Sequence, residues 1–243
     1  MFVTEYYNSI TDILRKVESD QLENIRSAGN IIAQSIAKDG LLYVFGCGHS
    51  HMIAEELFYR AGGLIAVCPI FEGSTMLHEG AVKSSRIERM SGYAPLVADQ
   101  YDITPRDVLL IVSSSGINSF PIEMAEAVRN KGAKVIGITS LNYENEPSRE
   151  RDGRHLSQVC DLCINNHVPC GDALVQVLDN GVKAGPCSSI SSMFVANAVM
   201  LAACEQLKKA GIRPPVCMSG NVEGGDAYNR ELIAKYRPRV KAL

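Results

Sequence analysis

Three turns rich in hydroxyl side chains are the parts of this sequence best suited to chemistry. They are 46–50 (Gly-Cys-Gly-His-Ser), 113–119 with four serines in seven residues, and 186–192, and each leads into a stretch with helical spacing. Hydroxyls and free backbone amides at a helix start bind anions such as phosphate. The sequence therefore predicts a phosphate site, with these candidate binding residues: Gly48, Ser50, Ser113, Ser114, Ser115, Asn118, Ser188 and Ser189.

Simpler interpretations account for less of this pattern. A well-capped helix needs one serine, and the segment 113–119 has more. A dinucleotide site would require a third glycine near 50–52, where the sequence reads Ser-His-Met. We therefore expect a small phosphorylated ligand and no organic cofactor.

Five short, continuous apolar runs must position these turns: 41–45, 64–68, 108–112, 134–139 and 162–165. Such runs are typical of strands buried on both faces of a parallel sheet. Helical spacing between them predicts helices at 50–60, 119–131 and 188–210. The expected fold is an α/β fold with ligands bound at the carboxyl ends of the strands.

The rest of the chain gives a provisional domain plan. Residues 1–38 predict two helices, broken near Ser19 and Asp20, that pack on the core and on a partner subunit; 39–212 form the main domain and 213–243 a C-terminal extension. The charged stretch 142–158 is typical of a solvated surface loop, and Asp-Asn-Gly at 179–181 predicts a small hairpin.

The last long helix is expected to pack on the core through one apolar face. We draw that face through the following residues: Ile190, Phe194, Val195, Ala198, Leu201 and Ala202.

Composition excludes several classes of partner. With 24 basic and 27 acidic residues, the net charge is −3, and no basic cluster favours nucleic acid. No apolar run approaches the roughly 20 residues of a membrane span, and residues 1–19 lack the pattern of a secretion signal. We therefore expect a cytoplasmic protein with no membrane partner.

Cysteine and histidine are concentrated in one segment. Eight cysteines without a secretion signal predict reduced thiols. One cluster has the spacing of metal ligands, but part of it lies on a predicted strand whose alternate side chains face opposite ways. We expect no metal site, and metal binding stays an open alternative for these residues: His155, Cys160, Cys163, His167 and Cys170.

These motifs resemble sugar isomerase (SIS) domains. The run 45–50 (Phe-Gly-Cys-Gly-His-Ser) is similar to their first motif, 113–118 to their Ser-x-Ser-Gly phosphate loop, and 132–139 to the strand that follows it. The resemblance covers roughly 35–210, and the whole chain is similar to bacterial proteins labelled phosphoheptose isomerases. It implies a five-stranded parallel sheet in a three-layer, flavodoxin-like α/β/α sandwich, a homodimer or homotetramer, and a sugar-phosphate ligand.

The resemblance also implies proton-transfer chemistry. An aldose–ketose isomerase needs a base beside the reacting carbons and polar donors for the oxygens. His78 and Glu79 resemble the His-x-Glu segment of aminosugar-phosphate isomerising SIS domains, so we expect Glu79 as the base, with His78 or His49 assisting ring opening and Glu56 as the next candidate. A plain surface loop is the alternative interpretation of residues 78–79.

The sequence departs from phosphoheptose isomerases at two catalytic positions. Helix 188–207 contains no histidine, and Arg60 stands where those enzymes have a glutamate. The substrate therefore does not follow from the resemblance. An amino-sugar-phosphate etherase or lyase and a non-catalytic sugar-phosphate sensor stay as alternative functions.

Overall fold

The apolar runs form one parallel sheet in the computed structural model, which describes residues 1–243. The strand order is β2-β1-β3-β4-β5, and most strand residues are buried. Strands β3, β4 and β5 have the predicted bounds, whereas β1 begins one residue later than expected and β2 three residues later. The bounds are β1 (Leu42–Gly46), β2 (Val67–Pro69), β3 (Val108–Val112), β4 (Lys134–Thr139) and β5 (Leu162–Asn165).

Two groups of helices pack against this sheet and confirm the α/β prediction. Helix α7 contacts both α1 and α2, helix α5 contacts both α4 and α6, and strands lie against both groups. The helix bounds are α1 (Phe2–Ile36), α2 (Met52–Leu57), α3 (Ala81–Ile87), α4 (Ala94–Ala98), α5 (Ser119–Asn130), α6 (Leu156–Val159), α7 (Ser188–Lys209) and α8 (Gly225–Tyr236).

The N-terminal segment is one continuous helix, so the prediction of two helices was wrong. Helix α1 has 35 residues and passes through Ser19 and Asp20 without a break. Both side chains are exposed, and the Ser19 hydroxyl bonds to the Lys16 carbonyl oxygen at 3.2 Å. Serine and aspartate each cost a helix only a fraction of a kcal/mol, less than the burial of Val17 and Ile25 on either side contributes.

The predicted inner face of α7 was also wrong in part. Val195 and Ala202 are buried, but Ile190, Phe194 and Leu201 are 40%, 39% and 70% exposed. Helices α1 and α7 pack too closely for large side chains, since a Cβ on Gly29 would lie 2.5 Å from the Cβ of Ala202. The contact surface of α7 therefore consists largely of small residues, including Ser191, Ser192, Ala196 and Ala203.

The prediction that no stretch approaches a membrane span was wrong for α7, which is long and apolar enough to cross a membrane by length and composition alone. Core helices of globular proteins pass the same test. In this fold α7 packs along α1, and its first turn carries serines that face the candidate site.

The hairpin predicted around 179–181 is confirmed as β6 (Ala173–Gln176) paired antiparallel with β7 (Lys183–Pro186). Beyond α8, Arg239 pairs with Asp107 at the start of β3, so the C-terminal segment contacts the main sheet. The domain boundaries expected at residues 38 and 212 stay predictions.

Candidate functional site

The strand order reverses between β1 and β3, and this is where the first two hydroxyl-rich turns lie. The chain passes from β1 to β2 on one side and then returns to β3 on the other side of β1. In open parallel sheets, ligands bind outside the carboxyl ends of the strands at such a reversal. The sheet thus brings 46–50 and 113–119 to the same crevice.

A small pocket at this edge is lined by residues from all three predicted clusters. It is a narrow depression with a cavity volume of only about 10 Å³, and it lies between the β1 turn, the β3 turn and the start of α7. The lining residues are His49, Ser50, Ile53, Val112, Ser114, Ser188, Ser189 and Ser192. Four of the predicted binding serines and one predicted catalytic histidine therefore lie together, and their ligand-binding role stays a prediction.

Glycine geometry shapes the turn after β1. A Cβ on Gly46 would lie 2.5 Å from the carbonyl oxygen of Ser50, and Gly48 has φ of +56°. This tight turn exposes His49 and buries His51, which is 6% exposed. The His51 ring bonds to the Gly48 carbonyl oxygen, and its Nε2 atom lies 3.2 Å from the Glu55 carboxylate.

The loop after β3 turns back on its own side chains. Gly116 has φ of +63°, and a Cβ there would lie 2.5 Å from the Thr139 hydroxyl. The Gly116 amide donates to the Ser113 hydroxyl at 3.3 Å, so Ser113 supports the loop. Ser115 lies outside the pocket lining, on the same loop as Ser114.

Asn166, at the end of β5, joins the second and third clusters, and sequence reasoning missed it. Its side-chain amide donates to the hydroxyls of Ser114 at 3.2 Å and Ser192 at 3.1 Å. Its backbone oxygen accepts from Ser191 at 2.6 Å. An asparagine directly after a predicted strand was the signal in the sequence that could have identified it.

Asp172 occupies the N-terminus of α7. Its carboxylate accepts from the Ser188 amide at 2.7 Å and the Ser188 hydroxyl at 2.5 Å, and also from the Cys187 amide. Ser188 therefore already has an anionic partner. Of the two serines predicted in this cluster, Ser189 is the one that Asp172 leaves for a ligand.

The predicted catalytic carboxylates both carry a neighbouring cation. Glu79 is about half exposed, and its carboxylate lies 3.4 Å from the Lys83 ammonium. Glu56 pairs with Arg60 and accepts from the Asn197 amide at 3.1 Å. The predicted roles of Glu79 and Glu56 stay predictions.

The predicted histidine partner His78 lies beside the crevice. Its ring centroid is 5.9 Å from that of His51, on the turn after β1. The catalytic assistance expected of His78 and His49 stays a prediction.

A third carboxylate, Glu88, contacts the loop after β3 through Asn118 and was absent from the sequence prediction. The Asn118 amide donates to it at 2.8 Å, and the Arg149 guanidinium donates to the Asn118 oxygen at 2.8 Å. Burial raises the pKa of Glu88, while the Asn118 hydrogen bond and the charges of Arg89 and Arg149 lower it in part. No motif surrounds Glu88, so spacing alone could not identify it.

Arg149 reaches Asn118 because part of the segment 142–158 is fastened to the rest of the domain. Glu150 is 4% exposed and accepts from the Arg154 guanidinium at 3.2 Å. The Ser119 hydroxyl donates to the Arg149 carbonyl oxygen at 2.8 Å, so the loop is fastened to the start of α5. Most of the segment is exposed, as predicted for a surface loop, but Glu150 is buried and Arg149 contacts Asn118 on the loop after β3.

The cysteine and histidine residues of 155–170 do not converge. The structure has no group of three or more cysteine, histidine or acidic side chains placed to hold a metal ion. His155 caps α6, and His167 bonds to Asn165 at 3.3 Å. Burial raises the pKa of the Cys163 thiol to about 12.

Comparison with known proteins agrees with this arrangement. The family model described as "SIS domain" matches residues 5–140. A "UPF0309 protein" of Geobacillus thermodenitrificans is 43% identical over 242 residues, covering 99% of this chain and 97% of the relative. A "UPF0309 protein" of Listeria monocytogenes is 39% identical over 99% of this chain and 98% of its own.

Solved structures share the fold at low identity. A phosphoheptose isomerase from Neisseria gonorrhoeae has a TM-score of 0.57 and 16% identity, covering 83% of this chain and 97% of that one. Vibrio vulnificus NanR in complex with ManNAc-6P gives 0.53 and 14%, covering 96% and 67%. The sugar isomerase domain of an RpiR transcription factor from Sphaerobacter thermophilus gives 0.52 and 13%, covering 95% and 97%.

The matched family model spans more than half of the chain, and relatives align with nearly all of it. The chain belongs to the SIS domain family.

Proposed function

We propose that this protein binds a sugar phosphate in the crevice between β1 and β3 and isomerises it between aldose and ketose. The observation that carries the proposal is the pocket in which His49 lies among serines of three separate turns. Hydroxyls and loop amides at the carboxyl ends of parallel strands suit a phosphate dianion. Family membership and the structural likeness to a phosphoheptose isomerase support the same ligand class.

The reaction requires little beyond positioned acids and bases. His49 or His78 assists ring opening, and a carboxylate then moves a proton between adjacent carbons through an enediol. Glu79 and Glu56 are the carboxylates expected from the sequence. This reaction requires no metal or organic cofactor, because the carbonyl group of the open sugar itself acidifies the neighbouring C–H bond.

A sugar-phosphate sensor without catalysis is the second candidate, and the structural comparisons give it specific support. Two of the similar structures are an RpiR transcription factor and NanR bound to ManNAc-6P. Both functions use the same phosphate site, and only the isomerase needs a base. Etherase chemistry would begin with the same proton abstraction but would release lactate.

We expect the protein to act in the cytoplasm as a homodimer or homotetramer, without nucleic-acid or membrane partners. Helices α1 and α7 support self-association, since they expose apolar side chains at Phe2, Val3, Ile190, Phe194 and Leu201. Light scattering at micromolar concentration should give at least twice the chain mass of 26.4 kDa. A monomer would contradict this expectation.

A thermal-shift screen tests the binding step. The panel contains inorganic phosphate and hexose, heptose and N-acetylhexosamine phosphates, since a ligand specific for the folded state raises Tm. Ser115→Ala should weaken binding about tenfold, as expected for one lost hydrogen bond to a charged group, whereas Ser85→Ala on exposed α3 should not. Equal affinities for both variants would remove Ser115 from the site.

Solvent exchange tests the isomerase step. The best ligand of the screen is incubated with the protein in D₂O, and loss of its C2 proton signal is followed by NMR. Exchange supports the isomerase, release of lactate supports the etherase, and tight binding without either supports the sensor.

A further inference from the structure

Glu88 lies where the turn after β1 meets the loop after β3. It follows α3, and its backbone oxygen accepts from the Phe120 amide in the first turn of α5 at 3.0 Å. On the β1 side, the charge of Glu88 raises the pKa of the buried Cys47 thiol, after the larger effect of burial itself. The backbone of Glu88 is thus fastened to the start of α5, and its carboxylate lies against Asn118 of the loop after β3.

The hydrogen bonds of Asn118 determine which of its side-chain atoms faces the Glu88 carboxylate. A guanidinium can only donate hydrogen bonds, so the Asn118 oxygen must face Arg149. The Asn118 NH₂ group must then face Glu88, where its bond of 2.8 Å is the one side-chain hydrogen bond that the carboxylate accepts within the chain. The second carboxylate oxygen accepts none and is available to a ligand.

The charges around Glu88 differ from those at the other candidate carboxylates. Glu79 and Glu56 each pair directly with a cation, Lys83 and Arg60. Glu88 forms no ion pair. Its charged neighbours, Arg89 and Arg149, act only through space.

We propose that Glu88 is the carboxylate that takes the substrate proton, an inference that rests on the isomerase function proposed above. Glu88 removes the proton from the carbon beside the sugar carbonyl, and the C–H electron pair forms the C=C bond of the enediol while the carbonyl oxygen gains a proton from a polar donor. Glu88 then returns its proton to the former carbonyl carbon, and the hydroxyl on the carbon that was deprotonated gives up its proton, so that the new carbonyl forms there. No redox partner is consumed. Asn118 and Arg149 are positioning residues that hold the carboxylate at the crevice.

The test compares full-length variants by C2 proton exchange in D₂O, with the sugar phosphate that gives the largest thermal shift. Glu88→Gln keeps the shape and the hydrogen bond from Asn118 but removes the base. It should lower exchange at least a hundredfold, the usual contribution of a general base, while the ligand-induced rise in Tm persists. Glu88→Asp should retain partial exchange, which guards against loss of folding in the glutamine variant. Glu205→Gln, on the exposed end of α7, is the matched control and should exchange like wild type.

The exchange experiment distinguishes a protein that is not an isomerase from an isomerase whose base is not Glu88. Wild type without exchange on any bound sugar phosphate overturns the isomerase and the proposed base with it. Normal exchange by Glu88→Gln, or a loss confined to Glu79→Gln, overturns Glu88 alone. Loss of ligand binding in Glu88→Gln also overturns it, because the side chain would then serve binding.

Discussion

Two carboxylates at opposite ends of the sheet, the buried Asp107 and the partly buried Glu88, have very different surroundings. Asp107, before β3, is fully buried and accepts from the amides of Leu41 and Thr104 and from the Thr104 hydroxyl. One guanidinium nitrogen of Arg239 also donates to both of its carboxylate oxygens. Glu88, at the carboxyl end of the strands, accepts a single side-chain hydrogen bond, from Asn118. The fold therefore surrounds the Asp107 carboxylate with hydrogen-bond donors and gives the Glu88 carboxylate only one.

This difference separates a structural charge from a reactive one. A buried carboxylate whose two oxygens both accept hydrogen bonds from several donors has no free oxygen for a ligand. One with a single donor costs stability when ionised, and its folded-state pKa rises. We therefore expect mutations at the two sites to have opposite effects on stability and on turnover.

Removal of Asp107 should have the largest effect on stability. Asp107→Ala leaves the Arg239 guanidinium, two amides and one hydroxyl without their acceptor, and should lower the free energy of unfolding by about 3 kcal/mol. Urea unfolding followed by circular dichroism measures the change. Thr104→Val, which removes one of several donors, should cost about 1 kcal/mol. A loss below 1 kcal/mol in Asp107→Ala would mean that the two carboxylates are not so different.

The sequence alone could predict the sheet but not the helix contacts. Runs such as Val108–Val112 are buried on both faces, so their composition depends on the sheet alone and their bounds were predicted correctly. Helix α7 is apolar on most sides, and its orientation depends on the close approach of Gly29 to Ala202. That contact joins residues far apart in the chain, and periodicity within one helix does not reveal it.

The same distinction holds in the candidate site. Serine-rich turns signal their chemistry locally, and Ser50, Ser114 and Ser189 lie together as expected. Glu88 and Arg149 come from separate segments and meet only through Asn118. In a sequence alone, a charged residue is expected to be solvated at the surface. Glu88 and Arg149 therefore could not be distinguished from ordinary surface charges.

Glu88→Gln should have a smaller effect on stability, and of the opposite sign to Asp107→Ala. Since burial raises the folded-state pKa of Glu88 above its unfolded value, the stabilisation by its protonated form is complete below the unfolded pKa and is lost as pH rises through the folded pKa. Glutamine does not titrate. The gain in Tm of the variant over wild type should therefore grow as pH rises across this window and level off above it.

Thermal melts of both proteins in a series of buffers from pH 4 to pH 8 measure this difference. A variant less stable than wild type at pH 8 would show that ionised Glu88 supports the fold, and the contrast with Asp107 would fail. The matched control is Glu205→Gln, since Glu205 is exposed.

Substitution of Arg149 should have the smallest effect and should act on the pH dependence of turnover. The Arg149 guanidinium orients Asn118 towards Glu88, and its charge lowers the pKa of that carboxylate, after the larger, opposing effect of burial. Arg149→Met removes both influences, so the pKa of Glu88 should rise further and the acidic limb of the exchange rate should move to higher pH, while the rate on the alkaline plateau changes little. Arg149→Lys keeps the charge but loses the planar fork, and should move the limb less. Arg151→Met is the control in the same loop, because Arg151 pairs with Asp152 and does not contact Asn118. If Arg149 were purely structural, its substitution would instead lower the exchange rate by the same factor at every pH. An acidic limb at the same pH in Arg149→Met and wild type would show that Arg149 does not influence the pKa of Glu88.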